Sequence, residues 1–139
     1  MSPVARKIIY AVAFETLGIA LGAVVLRLFS GAPAEQTFAL SVIAAAIALI
    51  WSYIFNSAFE AWEARQTTRG RSFLRRAIHA LLFEGGLTVI LLPLTAWFLS
   101  VGLATALAYE LGLILLYLVY AWAFTWAFDR LFGLPHSAR

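Results

Sequence analysis

Two glutamates lie in apolar stretches where an acidic side chain is costly. Glu15 and Glu84 follow Arg6 and Arg75, respectively, by nine positions, which is about 13 Å along a helix rising 1.5 Å per residue. In membrane helices, both carboxyl groups would lie inside the hydrocarbon, at a cost of at least about 2.5–3.5 kcal/mol. A carboxyl group held there without a partner can exchange protons near neutral pH. We therefore predict that both bind protons and take part in binding a substrate. The alternative is a structural role in which they join helices through hydrogen bonds.

A second pair of charges, Glu110 and Arg27, stands at the ends of two other apolar segments. Glu110 lies near the start of the last segment and Arg27 near the end of the first, so both are expected close to the same membrane surface. A salt bridge between them would offset much of the cost of each charge. We interpret the pair as this salt bridge or, alternatively, as an outer proton or cation site.

Aromatic residues make up 15% of the chain, and many fall in two deep stretches. Aromatic faces attract cations, most strongly when both are desolvated, although helix packing and lipid contact are alternative roles for any single ring. The candidate substrate-lining residues are Trp51, Tyr53, Phe55, Asn56, Tyr117, Tyr120 and Trp122. A further group at the expected inner ends of the helices consists of Glu60, Asp129 and His79, and we expect nearby arginines to neutralise the two acids.

The composition indicates which elements must position these residues. Of 139 residues, 63% are hydrophobic and 12% are charged, and the mean hydropathy is +0.90. Soluble domains carry about 25% charged residues, so a soluble enzyme and a cytosolic binding module are excluded. The chain has no cysteine, no cluster of metal-ligating residues and no pairing of a nucleophile with a base. We therefore expect no metal, no cofactor and no enzymatic activity.

Long uncharged segments predict four membrane-spanning helices. A helix needs about 20 mostly apolar residues to cross the hydrocarbon of a bilayer, and the alternating pattern of a β-barrel is missing. The expected fold class is therefore an all-α integral membrane protein. Its predicted spans are 8–29, 38–59, 77–99 and 107–128, with breaks at 30–33 and 100–102.

The basic residues predict the orientation of these helices. Nine of the ten lysines and arginines fall on the side that holds both chain ends and the connection between the second and third spans. The positive-inside rule assigns this side to the cytoplasm, so both termini are expected there. The net charge of +3 then reflects membrane topology rather than nucleic-acid binding. The nine residues are Arg6, Lys7, Arg65, Arg69, Arg71, Arg75, Arg76, Arg130 and Arg139.

The two halves of the chain align with each other at a constant offset of 69 residues. Each half is a two-helix hairpin that enters the membrane in the same orientation, which predicts a parallel repeat about an axis along the membrane normal. The two repeats are expected to be residues 1–66 and 67–139. Matched pairs include Tyr10 with His79, Glu15 with Glu84, Trp51 with Tyr120, and Phe59-Glu60 with Phe128-Asp129.

Two glycines of the first span, Gly18 and Gly22, share a helix face with Glu15. Small residues at this spacing allow either close helix contact or open space. Four helices make a thin wall around a substrate cavity, so we also expect a homodimer. Its contact is expected at these two glycines or at the aromatic stretches.

Taken together, the motifs resemble those of the proteobacterial antimicrobial compound efflux (PACE) transporters, which consist of tandem bacterial transmembrane pair domains. The resemblance covers nearly the whole chain and depends on residues 75–87 (RRAIHALLFEGGL), 51–60 (WSYIFNSAFE) and 120–129 (YAWAFTWAFD). Two positions depart from the family pattern. Tyr10 replaces the histidine present at His79, and Ser52 stands where asparagine is expected.

The resemblance implies a proton-driven exporter of cationic biocides, such as chlorhexidine and acriflavine, in the bacterial inner membrane. It also implies short-chain diamines as natural substrates and places Glu15 at the position of the family's key membrane carboxylate. The expected partners are thus protons, hydrophobic cations and the lipid bilayer. Two alternatives stay open: a small multidrug resistance-type transporter, and a non-transporting structural or regulatory membrane protein whose acids hold helices together.

Overall fold

The computed structural model describes residues 1–68 and 70–134, and these form four helices. In chain order the helices are α1 (Pro3–Ser30), α2 (Ala34–Ala64), α3 (Phe73–Leu99) and α4 (Leu103–Phe132). Each is long and apolar enough to cross a membrane, which confirms the predicted fold class. Two of the basic residues used to predict orientation, Arg69 and Arg139, lie outside the described residues.

All four helices are longer than the spans expected from hydropathy. They contain 27 to 31 residues, or about 40–46 Å of helix, whereas the hydrocarbon of a bilayer is about 30 Å thick. Serine caps explain where two of them begin. Ser2 Oγ accepts a hydrogen bond from the Ala5 N–H at 3.1 Å, and Ser72 Oγ accepts one from the Arg75 N–H at 3.2 Å. Such caps satisfy free N–H groups and extend a helix beyond its apolar segment.

The two hairpin turns have matching geometry. α1 ends at Gly31, with φ of 67°, and α3 ends at Ser100, with φ of 54°. The following helices begin after Pro33 and Gly102, and both pairs of positions differ by the repeat offset. A residue in the left-handed backbone conformation ends a helix because it turns the chain away from the helix axis. The predicted breaks are therefore confirmed, and the repeat extends to backbone conformation.

The helices form a bundle in which α1 and α3 each pack against both α2 and α4. We call the end that contains the turns at 31–33 and 100–102 the hairpin end. The opposite end contains the start of α1, the end of α4 and the connection from α2 to α3, and we call it the basic end. Contacts between the repeats, α1 with α4 and α2 with α3, hold the two hairpins together.

Two aromatic side chains make equivalent contacts between the repeats. The Tyr120 hydroxyl on α4 donates a hydrogen bond to the Phe14 carbonyl on α1 at 2.8 Å. The Trp51 indole N–H on α2 donates one to the Phe83 carbonyl on α3 at 3.0 Å. Donors and acceptors both differ by 69 residues, so the internal repeat determines the packing as well as the topology.

A small buried cluster lies towards the hairpin end, while most large apolar side chains face away from the bundle. Tyr53 and Trp122, which are repeat equivalents, are 77% and 73% exposed. Outward-facing apolar side chains are expected where the surroundings are lipid. The buried cluster consists of Leu26, Leu40, Leu99 and Leu113.

Candidate functional site

A cavity of about 450 Å³ lies in the centre of the bundle and is lined by residues from all four helices. Its volume is within the range of about 300–1,000 Å³ that is typical of small-molecule sites. Small side chains on one face of α2 leave this space open, because larger ones would fill it. They are Ala44, Ala45, Ala48 and Ser52.

Three carboxylic acids line this one cavity: Glu15 on α1, Glu84 on α3 and Glu110 on α4. Glu15 and Glu84 are half-buried. Among the described residues, neither has a side chain as a hydrogen-bond or ion-pair partner, in contrast to Glu63 and Asp129 at the basic end. The structure therefore brings the two sequence-predicted acids to one cavity and leaves their carboxylates free to bind a proton or a cation.

The equivalent aromatic contacts position both acids. Glu15 directly follows Phe14, whose carbonyl accepts the Tyr120 hydrogen bond. Glu84 directly follows Phe83, whose carbonyl accepts the hydrogen bond from the Trp51 indole. Each bond joins the backbone beside an acid to a neighbouring helix, so it limits rotation of α1 or α3 about its own axis. The acids are thereby held towards the cavity.

Glu110 does not form the predicted salt bridge with Arg27. Its side chain is 7% exposed and accepts a hydrogen bond from the Thr95 hydroxyl at 2.7 Å. Arg27 is exposed on α1 and, among the described residues, is not within ion-pair distance of an acid. The rotation of α1 explains the difference: Leu26, rather than Arg27, faces the cavity. Glu110 thus belongs to the cavity itself.

The prediction of seven substrate-lining residues is largely wrong, because only Tyr117 among them lines the cavity. The other six lie in three different kinds of position. Tyr53 and Trp122 face outward, Trp51 and Tyr120 bond to the backbone of other helices, and Phe55 and Asn56 contact His79.

Sequence reasoning missed four hydroxyl side chains that line the cavity. One signal could have identified the two on α3, because Thr88 and Thr95 follow Glu84 by four and eleven positions, a spacing that keeps residues on one helix face. On α2, the departure of Ser52 from the family pattern could have drawn attention to that residue. The four residues are Ser41, Ser52, Thr88 and Thr95.

The glycine pair on α1 packs inside the bundle. The Tyr117 hydroxyl donates a hydrogen bond to the Gly18 carbonyl at 3.1 Å, and a side chain at Gly22 would overlap that hydroxyl and approach Ser41 Oγ to 2.9 Å. Both glycines are buried. They are therefore used for close helix contact within the chain, and the expectation that they form a homodimer contact is wrong.

Ion pairs join the helix ends at the basic end. Arg6 pairs with Asp129 across α1 and α4. Arg71 donates hydrogen bonds to both oxygens of Glu63, at 2.8 and 3.0 Å, and these bonds raise the pKa of the Arg71 guanidinium above its ordinary value. Glu60 is exposed and, within the described part of the chain, has no ion pair. Arginine thus neutralises Asp129, as expected, but not Glu60.

His79 has a packing role beside the basic end. Its Nε2 shares a hydrogen bond with Asn56 Oδ1 at 2.8 Å, and its ring packs against Phe55. The repeat-equivalent residues, Tyr10 and Thr125, form a hydroxyl–hydroxyl hydrogen bond of 2.7 Å. The tyrosine that departs from the family pattern therefore preserves the same helix contact. Across residues 1–68 and 70–134, no group of three or more His, Cys, Asp or Glu residues could hold a metal ion.

Comparisons with known proteins agree with this architecture. The sequence model of the chlorhexidine efflux transporter family (BTP) matches residues 2–65 and again residues 71–134, and the two matches differ by the repeat offset of 69 residues. Similar curated proteins include the short-chain diamines transporter of Acinetobacter baylyi, which is 31% identical over 126 residues, 91% of this chain and 89% of that protein. Transporters of the same name from Acinetobacter baumannii and Vibrio parahaemolyticus are 32% and 31% identical, over 91% and 90% of this chain and 87% and 89% of their own lengths. No solved structure matches the chain significantly.

Proposed function

Because the chain belongs to the family of chlorhexidine efflux transporters, we propose that it exports organic cations in exchange for protons. One observation above all supports the proposal: Glu15 and Glu84 line a single central cavity with no basic partner among the described residues. An unpaired carboxylate away from water is unfavourable. Binding either a proton or a cation removes that cost, so the two ligands compete for the same groups.

Exchange at these acids provides the coupling. The deprotonated carboxylates of Glu15 and Glu84 hold the cation, and the small side chains of α2 leave room for its apolar part. Protonation removes the attraction, and the cation is released on the other side of the membrane. Because proton and cation favour opposite states of one carboxyl group, each lowers the affinity for the other by the same factor.

The distribution of basic residues supports an orientation with the basic end in the cytoplasm. Arg6, Lys7, Arg71, Arg75 and Arg130 all lie at that end of the described chain, and cytoplasmic segments of membrane proteins carry the excess of lysine and arginine. The proposed location is the bacterial inner membrane with both termini inside. Export then carries the cation from the basic end to the hairpin end.

The proposed substrates are cations with more than one positive charge. Three similar proteins are named short-chain diamines transporters, and two carboxylates in one cavity suit a substrate with two ammonium groups. Chlorhexidine, which the family description names, is also a dication and more apolar. The predominantly apolar cavity wall is compatible with both. Acriflavine, an organic cation with a single permanent charge, is a convenient fluorescent probe of cation binding.

A homodimer remains part of the proposal, with its contact moved to the outward aromatic residues. Gly18 and Gly22 are buried within the chain, whereas the repeat equivalents Tyr53 and Trp122 face outward. These rings are the remaining members of the aromatic stretches that a second copy could reach. Cysteine cross-linking at position 53 or 122 in native membranes would measure this contact.

Equilibrium binding of acriflavine to the purified protein tests the proposed exchange. In the wild-type protein we expect the affinity to fall as the pH is lowered, because protons compete for the carboxylates. Glu15→Gln removes the charge with little change in size, so we expect binding to weaken by roughly tenfold or more. Its affinity should also depend less steeply on pH, because only Glu84 of the pair still exchanges a proton for the cation. Transport into inverted vesicles should stop while the variant still inserts into the membrane.

Glu60→Gln is the matched control, because Glu60 is an exposed acid outside the cavity. It should bind and transport acriflavine as the wild type does. Unchanged transport and an unchanged pH profile in Glu15→Gln would refute proton exchange at this residue. The absence of cation-dependent proton flux in wild-type vesicles, over a panel of diamines and biocides, would favour a structural role for the acids.

A further inference from the structure

We propose that Glu110 and Thr95 form a second cation-binding site at the hairpin end of the cavity, distinct from the pair Glu15 and Glu84. The inference depends on the proposed export function. In this arrangement an ammonium or guanidinium-type group first binds at the deeper acids and then at Glu110 before release. Glu110 is thus a further binding residue, and Thr95 is the residue that positions it.

The two sites are separated along the membrane normal. Thr95 follows Glu84 by eleven residues on the continuous helix α3, which corresponds to about 16 Å. The hydrogen bond of 2.7 Å places the Glu110 carboxylate at the same depth as Thr95. One ammonium group cannot contact acids that far apart, so Glu110 cannot simply extend the deeper site. All three acids nevertheless line one continuous cavity.

The surroundings of Glu110 leave its charge uncompensated. The carboxylate is 7% exposed, and one hydroxyl, from Thr95, donates to it. Within the described ranges no basic side chain is within ion-pair distance, although Arg27 was expected to be. A buried carboxylate with one neutral donor remains unfavourable when ionised, and a cation that enters the cavity would supply the missing partner.

The groups that face this site are otherwise neutral or distant. The cavity wall near it consists of Leu26 from α1, Leu40 and Ser41 from α2, and Leu91 from α3. On α4 the nearest titratable group in the cavity is the Tyr117 hydroxyl, which already donates to the backbone of α1. The charged residues of the hairpin end, Arg27 on α1 and Glu35 on α2, are both exposed. A cation at this level therefore finds Glu110 as its acidic partner.

The internal repeat shows that helix packing does not require the acid. The positions equivalent to Glu110 and Thr95 are Ser41 and Leu26. Ser41 donates to the Ile19 carbonyl at 2.8 Å and so joins α1 to α2 with a neutral side chain. A neutral residue thus supports the same helix position in the first repeat. The carboxylate is an addition confined to the second repeat, in the part of the cavity nearer the hairpin end.

Glu110→Gln in the full-length protein tests the second site. Glutamine keeps an oxygen that can accept the Thr95 hydrogen bond, so the variant removes charge rather than packing. We expect equilibrium binding of acriflavine to stay within about threefold of wild type, because the deeper site is distant and intact. The rate of acriflavine transport in proteoliposomes should fall by roughly tenfold or more. Thermal unfolding in detergent should be unchanged.

The outcomes separate this inference from the proposed function. Wild-type transport by Glu110→Gln would overturn the second site and leave the exchange at Glu15 untouched. Loss of binding in Glu110→Gln equal to that in Glu15→Gln would overturn a distinct site, because the acids would then act as one. Wild-type binding and transport in Glu15→Gln would refute the proposed function whatever Glu110→Gln does.

A measurement on the wild-type protein avoids any folding defect of the variant. Carbodiimides modify carboxyl groups in apolar surroundings, and peptide mass spectrometry can follow modification at position 110. Acriflavine should slow this modification at concentrations that support transport, and it should still do so in Glu15→Gln, because Glu110 binds the cation at a separate site. Modification of Glu110 at an unchanged rate in the presence of acriflavine would overturn the proposal.

Thr95→Val should reduce the rate of transport, because valine has no hydroxyl to orient Glu110. Thr95→Ser should transport at the wild-type rate, since serine keeps that hydroxyl.

Discussion

Gly22→Ala should destabilise the bundle far more than the same change at Gly18, although the sequence presents the two glycines as one motif. A Cβ atom at Gly22 would overlap the Tyr117 hydroxyl and lie 2.9 Å from Ser41 Oγ. At Gly18 the nearest atom would be a Tyr120 ring carbon at 3.5 Å, which is an ordinary contact. The first substitution must therefore displace two side chains and the second none.

The magnitude depends on the hydrogen bonds that these two side chains make. The Tyr117 hydroxyl donates to the Gly18 carbonyl at 3.1 Å and the Ser41 hydroxyl to the Ile19 carbonyl at 2.8 Å, each worth about 1 kcal/mol. Overpacking costs about 1–3 kcal/mol more, and alanine recovers about 1 kcal/mol of helix propensity relative to glycine. The expected net loss is about 2–4 kcal/mol. Gly18→Ala should be neutral or slightly stabilising.

Thermal unfolding in detergent, followed by tryptophan fluorescence, measures the difference. Gly22→Ala should lower the midpoint by roughly 5–15 °C, and Tyr117→Phe should recover part of this loss in the double variant because it removes the overlapping oxygen. The coupling energy between the two substitutions isolates the contact. Equal midpoints for the two alanine variants, or no recovery with phenylalanine, would refute the close approach of α1 and α4 at Gly22.

Two further predictions concern the repeat. Tyr120→Phe removes the hydrogen bond to α1 and should lower the unfolding free energy by about 1 kcal/mol. It should also weaken acriflavine binding several-fold, because that bond positions the neighbouring Glu15. Tyr53→Phe, on the outward face, is the control and should change neither the unfolding free energy nor the binding. Equal binding by Tyr120→Phe and wild type would contradict the positioning role. Ser100→Gly should raise the unfolding free energy by about 1 kcal/mol, since serine is strained at a positive φ that glycine adopts freely, whereas Gly31→Ala at the equivalent turn should lower it by a similar amount. An unfolding midpoint that falls in Ser100→Gly would refute the strain.

The number, order and approximate position of the helices could be predicted from the sequence, and so could the repeat and the resemblance to an efflux family. Apolar segments of about 20 residues leave a helix as the only spanning structure. The constant offset of 69 residues matched Trp51 with Tyr120, and the two side chains make equivalent hydrogen bonds, although the sequence predicted them as substrate-lining residues. The acids Glu15 and Glu84 were identified because a charge in an apolar helix stands out by its cost, which is a local property.

The rotation of each helix could not be predicted, and the corrections at Glu110 and at the substrate-lining residues follow from that. In water, the apolar stripe of a helix shows which face is buried. In a bilayer the lipid side is as apolar as the bundle interior, so no stripe distinguishes Tyr53, which faces outward, from Tyr117, which lines the cavity. For the same reason the sequence led to a predicted salt bridge between Glu110 and Arg27, whereas Glu110 accepts a hydrogen bond from Thr95. The sequence by itself determined which segments can cross the membrane, how many there are, and that Glu15 and Glu84 lie within them, because these depend on the cost of transfer into hydrocarbon. Only the tertiary structure decided which side chains meet, because that depends on close packing between helices whose surfaces are chemically alike on every side.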